Sequence, residues 1–286
     1  MIISNFSAFI PRLAPAKKEF LCLIGLLVFV SFDIQAMNID SEKRWAEQLR
    51  DNIVIGEPLD LPLNSGSEKT FFSIFTQYET SKPKGAIILM HGSGAHPDWG
   101  DIIHPLRVEL PDKGWSTLSI QMPLEDPEQK DPASRKKVID ASVARIEAAI
   151  QYLKAKQYQK VVFIAHSFGT LMALNLLQQK PDAANADKTP LVSAAIIIGT
   201  PSFGTEIPHS SPKMIEKIKI PLLDMYGSLD LDSVMRSAKA RKTAAKKMHH
   251  KHSRQVETIG ANHFYNGLDD ELVSYVNNWL NKVFYP

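Results

Sequence analysis

Lys160-Val161-Val162-Phe163-Ile164-Ala165-His166-Ser167-Phe168-Gly169-Thr170 is the stretch on which the reading of the fold turns. Val161 to Ala165 is an unbroken apolar run rich in β-branched residues, which predicts a strand buried on both faces. Leu171-Met172-Ala173-Leu174-Asn175-Leu176-Leu177 then predicts a buried helix. Between them stands a small-x-Ser-x-Gly pentapeptide, Ala165 to Gly169, which predicts a sharp turn with Ser167 at its apex. So tight a turn brings backbone close to both flanking elements, so the two ends of the pentapeptide must be small. A serine held there exposes its hydroxyl at the carboxyl edge of a sheet, beside the next backbone N–H.

Outward from this turn, Ala86–Met90, Gly114–Ile120, Ala194–Ile198, Ile220–Tyr226 and Arg254–Ile259 read as further strands. From Ala86 onward strands alternate with helical patterns, which predicts an α/β fold with a mainly parallel, doubly wound, eight-stranded sheet. Asn52–Leu63 and the alternating Thr70–Tyr78 are expected to form its antiparallel N-terminal edge, the second of them half-buried. Ser41 is the expected cap of a short leading helix, and Pro97–Leu110 reads as a helix started or kinked by Pro105. A charged loop from Glu125 to Lys137 leads into a long helix with the inner stripe Ile139, Val143, Ile146, Ile150 and Leu153.

The 286 residues and formal charge of +2 suit one large domain with a full core. Near-neutral charge argues against nucleic acid as a general partner. No phosphate loop or dinucleotide fingerprint is present, so no cofactor is expected. Residues 1–36 are read as a secretory signal peptide, leaving 37–286 as the mature domain. Arg12, Lys17 and Lys18 precede an apolar run from Phe20 to Phe32, and Ala36 offers a small residue for cleavage. Export is therefore expected, to the periplasm if the source is a Gram-negative bacterium. An uncleaved anchor and a start at Met37 are the alternatives. Cys22, the only cysteine, falls inside the signal, so the mature chain has no disulfide, cysteine nucleophile or cysteine metal site.

The strand, pentapeptide and helix around Ser167 resemble the nucleophile elbow of α/β-hydrolases, with Ala165 in place of the usual first glycine. The eight strands match that fold over essentially the whole mature chain. The family places an acid and then a histidine after the serine. Tyr226-Gly227-Ser228-Leu229-Asp230 resembles its acid turn, and Gly260-Ala261-Asn262-His263-Phe264 its histidine loop. The resemblance therefore implies Ser167 as nucleophile, Asp230 as orienting acid and His263 as base. His91-Gly92-Ser93-Gly94 resembles the oxyanion loop, which implies backbone N–H donors at Ser93 and Phe168. HGSGAHPDW (91–99) with GWSTLSIQMP (114–123) looks like a branch of exported proteobacterial α/β-hydrolases with no assigned substrate. Only about twenty residues, Gly199 to Ile220, stand where many relatives insert a cap domain, so little or no lid is expected.

Each assignment has a rival. Asp232 is a second candidate acid, otherwise a helix N-cap. Asp224 reads as a satisfied buried carboxylate or a polar residue at a strand end. His166 reads as packing under the site, since an elbow turns the serine's neighbour away. His96-Pro97-Asp98-Trp99 is either a helix entry capped by Asp98, with Trp99 over the core, or one wall of the substrate pocket. Arg236 to His252 is a basic helix, read as a solvated face or as a contact for an anionic surface such as membrane lipid. His249, His250 and His252 lack accompanying carboxylates or cysteines, so no metal is expected. The expected activity is hydrolysis of a carboxylic ester, thioester or amide, on a small-molecule or envelope-derived acyl substrate. The alternative is a non-catalytic binding or envelope-assembly protein on the same fold. The oligomeric state is left open.

Overall fold

Alternation along the strands builds two cores back to back. Ile88 and Met90 point to one face of the sheet with Phe163 and Ala165, while Ile87 and Leu89 point to the other with Val162 and Ile164. Both sets are buried, so the central strands have no solvent face and are apolar throughout. The computed structural model describes residues 37–64, 68–180 and 192–286. The expected signal segment 1–36, with Cys22, lies outside the described residues, which all fall in the unit Gln35–Pro286.

In chain order the elements are α1 (Ile39–Arg50), β1 (Glu57–Pro62), β2 (Thr70–Thr76), β3 (Gly85–Met90), α2 (Ile103–Glu109) and β4 (Trp115–Ile120). There follow α3 (Pro132–Ala155), β5 (Val161–His166), α4 (Phe168–Gln179), β6 (Ala194–Ile198) and α5 (Ser211–Ile215). The last are β7 (Leu222–Leu229), α6 (Asp232–Lys247), β8 (Arg254–Asn262) and α7 (Asp269–Phe284). The sheet runs β1-β2-β4-β3-β5-β6-β7-β8. It is parallel from β4 to β8, and β2 is antiparallel to both of its neighbours, β1 and β4. This is the mainly parallel sheet with an antiparallel N-terminal edge that the alternation of patterns predicts. Residues of α3, α4, α5 and α6 cover one face, and those of α2 and α7 the other. The outermost strand, β1, carries Pro58 and Pro62. The segment between β6 and β7 holds one short helix, α5. No helix among the described residues is long and apolar enough to cross a membrane.

Several local expectations are corrected. The cap of α1 is Asn38, whose side chain accepts the N–H of Ser41, so the helix starts before the serine expected to cap it. Strand β2 is buried on both faces, because β1 lies outside it and long cations cover its aromatics. Arg50 lies over Phe72, and Arg145 over Phe71. Helix α2 begins only at Ile103, with Pro105 in the first turn, where a missing N–H costs nothing. Asp98 therefore caps no helix. It accepts from Arg107 Nε and pairs with His104 instead, both at 2.8 Å. Helix α3 starts at Pro132, inside the expected charged loop, because Asp131 accepts the N–H groups of Ala133 and Ser134. Helix α6 runs from Asp232 and buries Arg241 completely, so its basic residues do not all share a solvated face.

Candidate active site

The carboxyl ends of β5, β7 and β8 meet at one point. Strand β5 ends at His166, and Ser167 takes φ 52°, ψ −125° before α4 begins. A non-glycine residue in that region costs on the order of 1–3 kcal/mol, which the surroundings must over-determine. The Ser167 N–H donates to the Ile198 carbonyl at 2.9 Å, and the Thr170 hydroxyl donates to the Ser167 carbonyl at 2.6 Å. Gly169 allows α4 to close down, since a Cβ there would sit 2.3 Å from the His91 carbonyl oxygen. The serine hydroxyl is left directed across the strand ends.

Asp230 belongs to a turn after the exposed end of β7. Its own N–H donates to the Gly227 carbonyl at 3.1 Å, and its Oδ2 accepts the Gly227 N–H at 3.2 Å. Its Oδ1 accepts the Leu231 N–H at 2.7 Å and lies 2.6 Å from His263 Nδ1. His263 Nε2 lies 2.9 Å from Ser167 Oγ. A carboxylate only accepts, so Nδ1 of the neutral ring carries the proton and Nε2 offers its lone pair to the hydroxyl. Burial pushes the Asp230 carboxyl up, but the hydrogen bonds from His263, Leu231 and Gly227 outweigh it and hold the group below its ordinary value. The carboxylate side chain is fully buried and the imidazole nearly so. The three expected residues are thus brought into one hydrogen-bonded chain.

The histidine loop is shaped from below. The Asn262 side-chain oxygen accepts the N–H groups of Phe264 and Asn266 at 3.0 and 3.3 Å, an Asx turn that presents His263. His166, buried behind the ring, donates its Nε2–H to the His263 carbonyl at 3.0 Å. Burial and the neighbouring His263 push His166 down to about 4, so it is a neutral prop. Asp232 is not in the chain of bonds. It stands exposed at the first position of α6, paired with Arg236, and caps nothing through its side chain. Asp224 is buried beneath the site and bonded to Arg241 Nε at 2.9 Å and Gln255 Nε2 at 2.7 Å. Arg241 also donates to the carbonyls of Thr200 and Val234, which ties α6 to the turn after β6.

The loop after β3 lies against the serine: a Cβ on Gly92 would stand 2.9 Å from Ser167 Cβ. His91 anchors this loop. Its Nε2 accepts the Met122 N–H at 2.9 Å and its Nδ1 donates to the Gly92 carbonyl at 2.8 Å. Burial pushes its imidazole down to about 3, so the anchor stays neutral. Phe168 is the first residue of α4, whose N–H has no intrahelical acceptor and lies at the positive end of the helix dipole.

Sequence reasoning missed five contributors. Gly199, at φ 59° after β6, lies flat against the imidazole, where a Cβ would be 2.9 Å from Cε1 and Nδ1 of His263. The glycine directly after a buried isoleucine run was its signal. Glu125 accepts the Ser93 hydroxyl at 2.8 Å and pairs with Arg135, whose guanidinium stacks on Phe203 at 4.4 Å. Both ions sit in a segment read only as charged. Trp45 of α1 packs on His96, which contacts Trp99 in turn. A cavity of about 270 Å³ opens there, lined by Arg44, Trp45, Gln48, Gly94, Leu124 and Glu125 among others.

A family model described as protein of unknown function, DUF3530, matches residues 62–137 and 124–282. No curated protein matches the sequence. Solved structures of α/β-hydrolases do match in shape. Est1E from Butyrivibrio proteoclasticus, in its complex with ferulic acid, is 13% identical with a TM-score of 0.61, covering 80% of this chain and 100% of its own. A dienelactone hydrolase from Anabaena variabilis is 19% identical with a TM-score of 0.58, covering 79% and 98%. An α/β serine hydrolase without lid from Xanthomonas campestris is 11% identical with a TM-score of 0.57, covering 82% and 97%. At these identities the likeness is one of fold.

Proposed function

Since this chain belongs to the DUF3530 family, described as protein of unknown function, and has the α/β-hydrolase fold, we propose that it is an exported serine hydrolase cleaving a carboxylic ester. The observation that carries this reading is the His263 imidazole, bonded to Ser167 Oγ on one side and Asp230 Oδ1 on the other. A serine hydroxyl is too weak an acid to attack unless a base takes its proton. His263 Nε2 takes it as Ser167 Oγ bonds to the acyl carbon. Asp230 fixes the ring tautomer and stabilises the imidazolium. The carbonyl electrons move to oxygen, where the N–H groups of Ser93 and Phe168 receive the negative charge; such a donor is typically worth a hundredfold or more. The imidazolium then protonates the leaving alkoxide, the acyl group stays on Ser167, and water repeats the sequence to release the acid.

The exported location rests on the expected signal peptide at 1–36. The test is labelling of the purified protein with a fluorophosphonate, alongside turnover of a chromogenic ester series. Wild type and Asp232→Ala are expected to label. Ser167→Ala is expected to lose labelling and to drop turnover by about 10⁴-fold or more. A wild-type protein that takes no label at any pH would return the chain to the binding-protein reading.

A further inference from the structure

Most of the large apolar side chains left exposed among the described residues gather beside the site. Leu229 and Leu231 flank Asp230 and are 68% and 51% exposed, and Ile259 is 81% exposed. Met235 and Phe264 are also exposed. Hydrogen bonds and strand pairing link the segments that carry them. The Met235 N–H donates to the Leu231 carbonyl in the first turn of α6, and the Gly260 N–H donates to Ser228 Oγ. Leu229 is paired with Asn262, two residues before Phe264. A contiguous exposed apolar patch at a site rim marks a contact with something apolar.

Along α6 the patch continues as charge. Met235, Lys239, Lys242 and Lys246 follow one another at steps of four, three and four, which places them on one stripe of the helix. The three lysines are exposed. Arg236 is engaged by Asp232, Lys247 by Glu216 and Arg241 by Asp224. No carboxylate among the described residues pairs with Lys239, Lys242 or Lys246.

We propose that this face, from Ile259 and Leu229 along the lysine stripe of α6, docks on an anionic phospholipid bilayer. The apolar residues enter the interface and the free ammonium groups meet phosphate headgroups, which supplies the two signals that stable peripheral binding requires. Each lysine near such a surface is worth roughly fivefold in partitioning. The docked face borders Asp230 and His263, so the site is presented to esters held in the bilayer, a consequence that rests on the hydrolase reading. The docking itself needs no catalysis.

The test uses the full chain with Cys22→Ser and Ile259→Cys, carrying an environment-sensitive dye at position 259. Vesicles of phosphatidylcholine alone are compared with vesicles containing about one-third phosphatidylglycerol. The dye emission is expected to shift to the blue only with the anionic vesicles, and the shift to fade at high salt. Adding Lys239→Glu, Lys242→Glu and Lys246→Glu is expected to weaken the titration by about a hundredfold. Thermal unfolding of this variant matched to its parent shows that the change lies in docking. No shift with anionic vesicles overturns the proposal, as does an equal shift on both vesicle types that ignores the lysines. A concentration-dependent shift without lipid also overturns it, and assigns the patch to a second copy of the chain.

Discussion

Ser167, His263 and Asp230 each owe their place to a backbone feature: a tight turn, an Asx turn and a Gly-x-x-Asp turn. Ser167 was legible from its turn, and Asp230 and His263 from the resemblance of their loops to those of α/β-hydrolases; the Asx turn made by Asn262 was not. Gly199 was not, because its role is a surface offered to a ring from a distant loop. It carries a prediction. In Gly199→Ala the new methyl would overlap His263, and the left-handed φ of 59° would be strained as well. Turnover is expected to fall by up to about a hundredfold, the loss that goes with an imidazole misplaced by about an ångström. Fluorophosphonate labelling rates would measure it, and unchanged labelling would show that the ring has room to spare. The two neighbouring carboxylates divide in the same way. Asp230→Asn is expected to lose about 10⁴-fold in kcat through the wrong tautomer, while Asp232→Asn, exposed and outside the hydrogen-bonded chain, is expected to change little.

The helices were legible by period and misjudged by end. The stripe of α3 was evident, but its start at Pro132 depended on Asp131 finding the N–H groups of Ala133 and Ser134 within a run that reads as charged loop. Helix α6 shows a deeper difficulty. Composition marks it as basic, yet only the folded chain reveals that Arg241 turns inward to Asp224 while Lys239, Lys242 and Lys246 turn out. A buried ion pair gains little over an apolar pair of the same size, but breaking it leaves one charge stranded. Arg241→Met alone is therefore expected to cost about 3–5 kcal/mol of stability. Adding Asp224→Leu is expected to recover most of that loss. Denaturant titration of the four proteins of this cycle measures the coupling, and additive losses would count against the pair.

At the scale of the whole molecule, the parallel sheet was legible because its central strands β3, β5 and β6 are buried on both faces and are almost wholly apolar. The covering of β2 was not, since cations from α1 and α3 shield its aromatics. Acid sensitivity is a property of the assembled sheet. His91 and His166 sit at the ends of adjacent strands, neutral, with values pushed by burial to about 3 and about 4 from an ordinary 6.5. Below pH 6.5 the unfolded chain binds protons that the folded chain refuses, so stability falls with falling pH. The loss continues down to about pH 4 for His166 and about pH 3 for His91. Each histidine contributes about 1.4 kcal/mol per pH unit within its window. Urea midpoints taken between pH 7 and pH 4 should slope accordingly, and His166→Gln should flatten the curve; a midpoint independent of pH would contradict the burial argument.

Strand β1 closes one rim of the sheet with Pro58 and Pro62. Proline has no N–H to offer, so an extended peptide arriving at that rim would find the ladder interrupted at two places in six residues. Crowded molecules are thereby denied a template for growing ribbons from that margin. Concentrated stocks should resist amyloid-type stacking there, and replacing both prolines with threonine should make the margin adhesive.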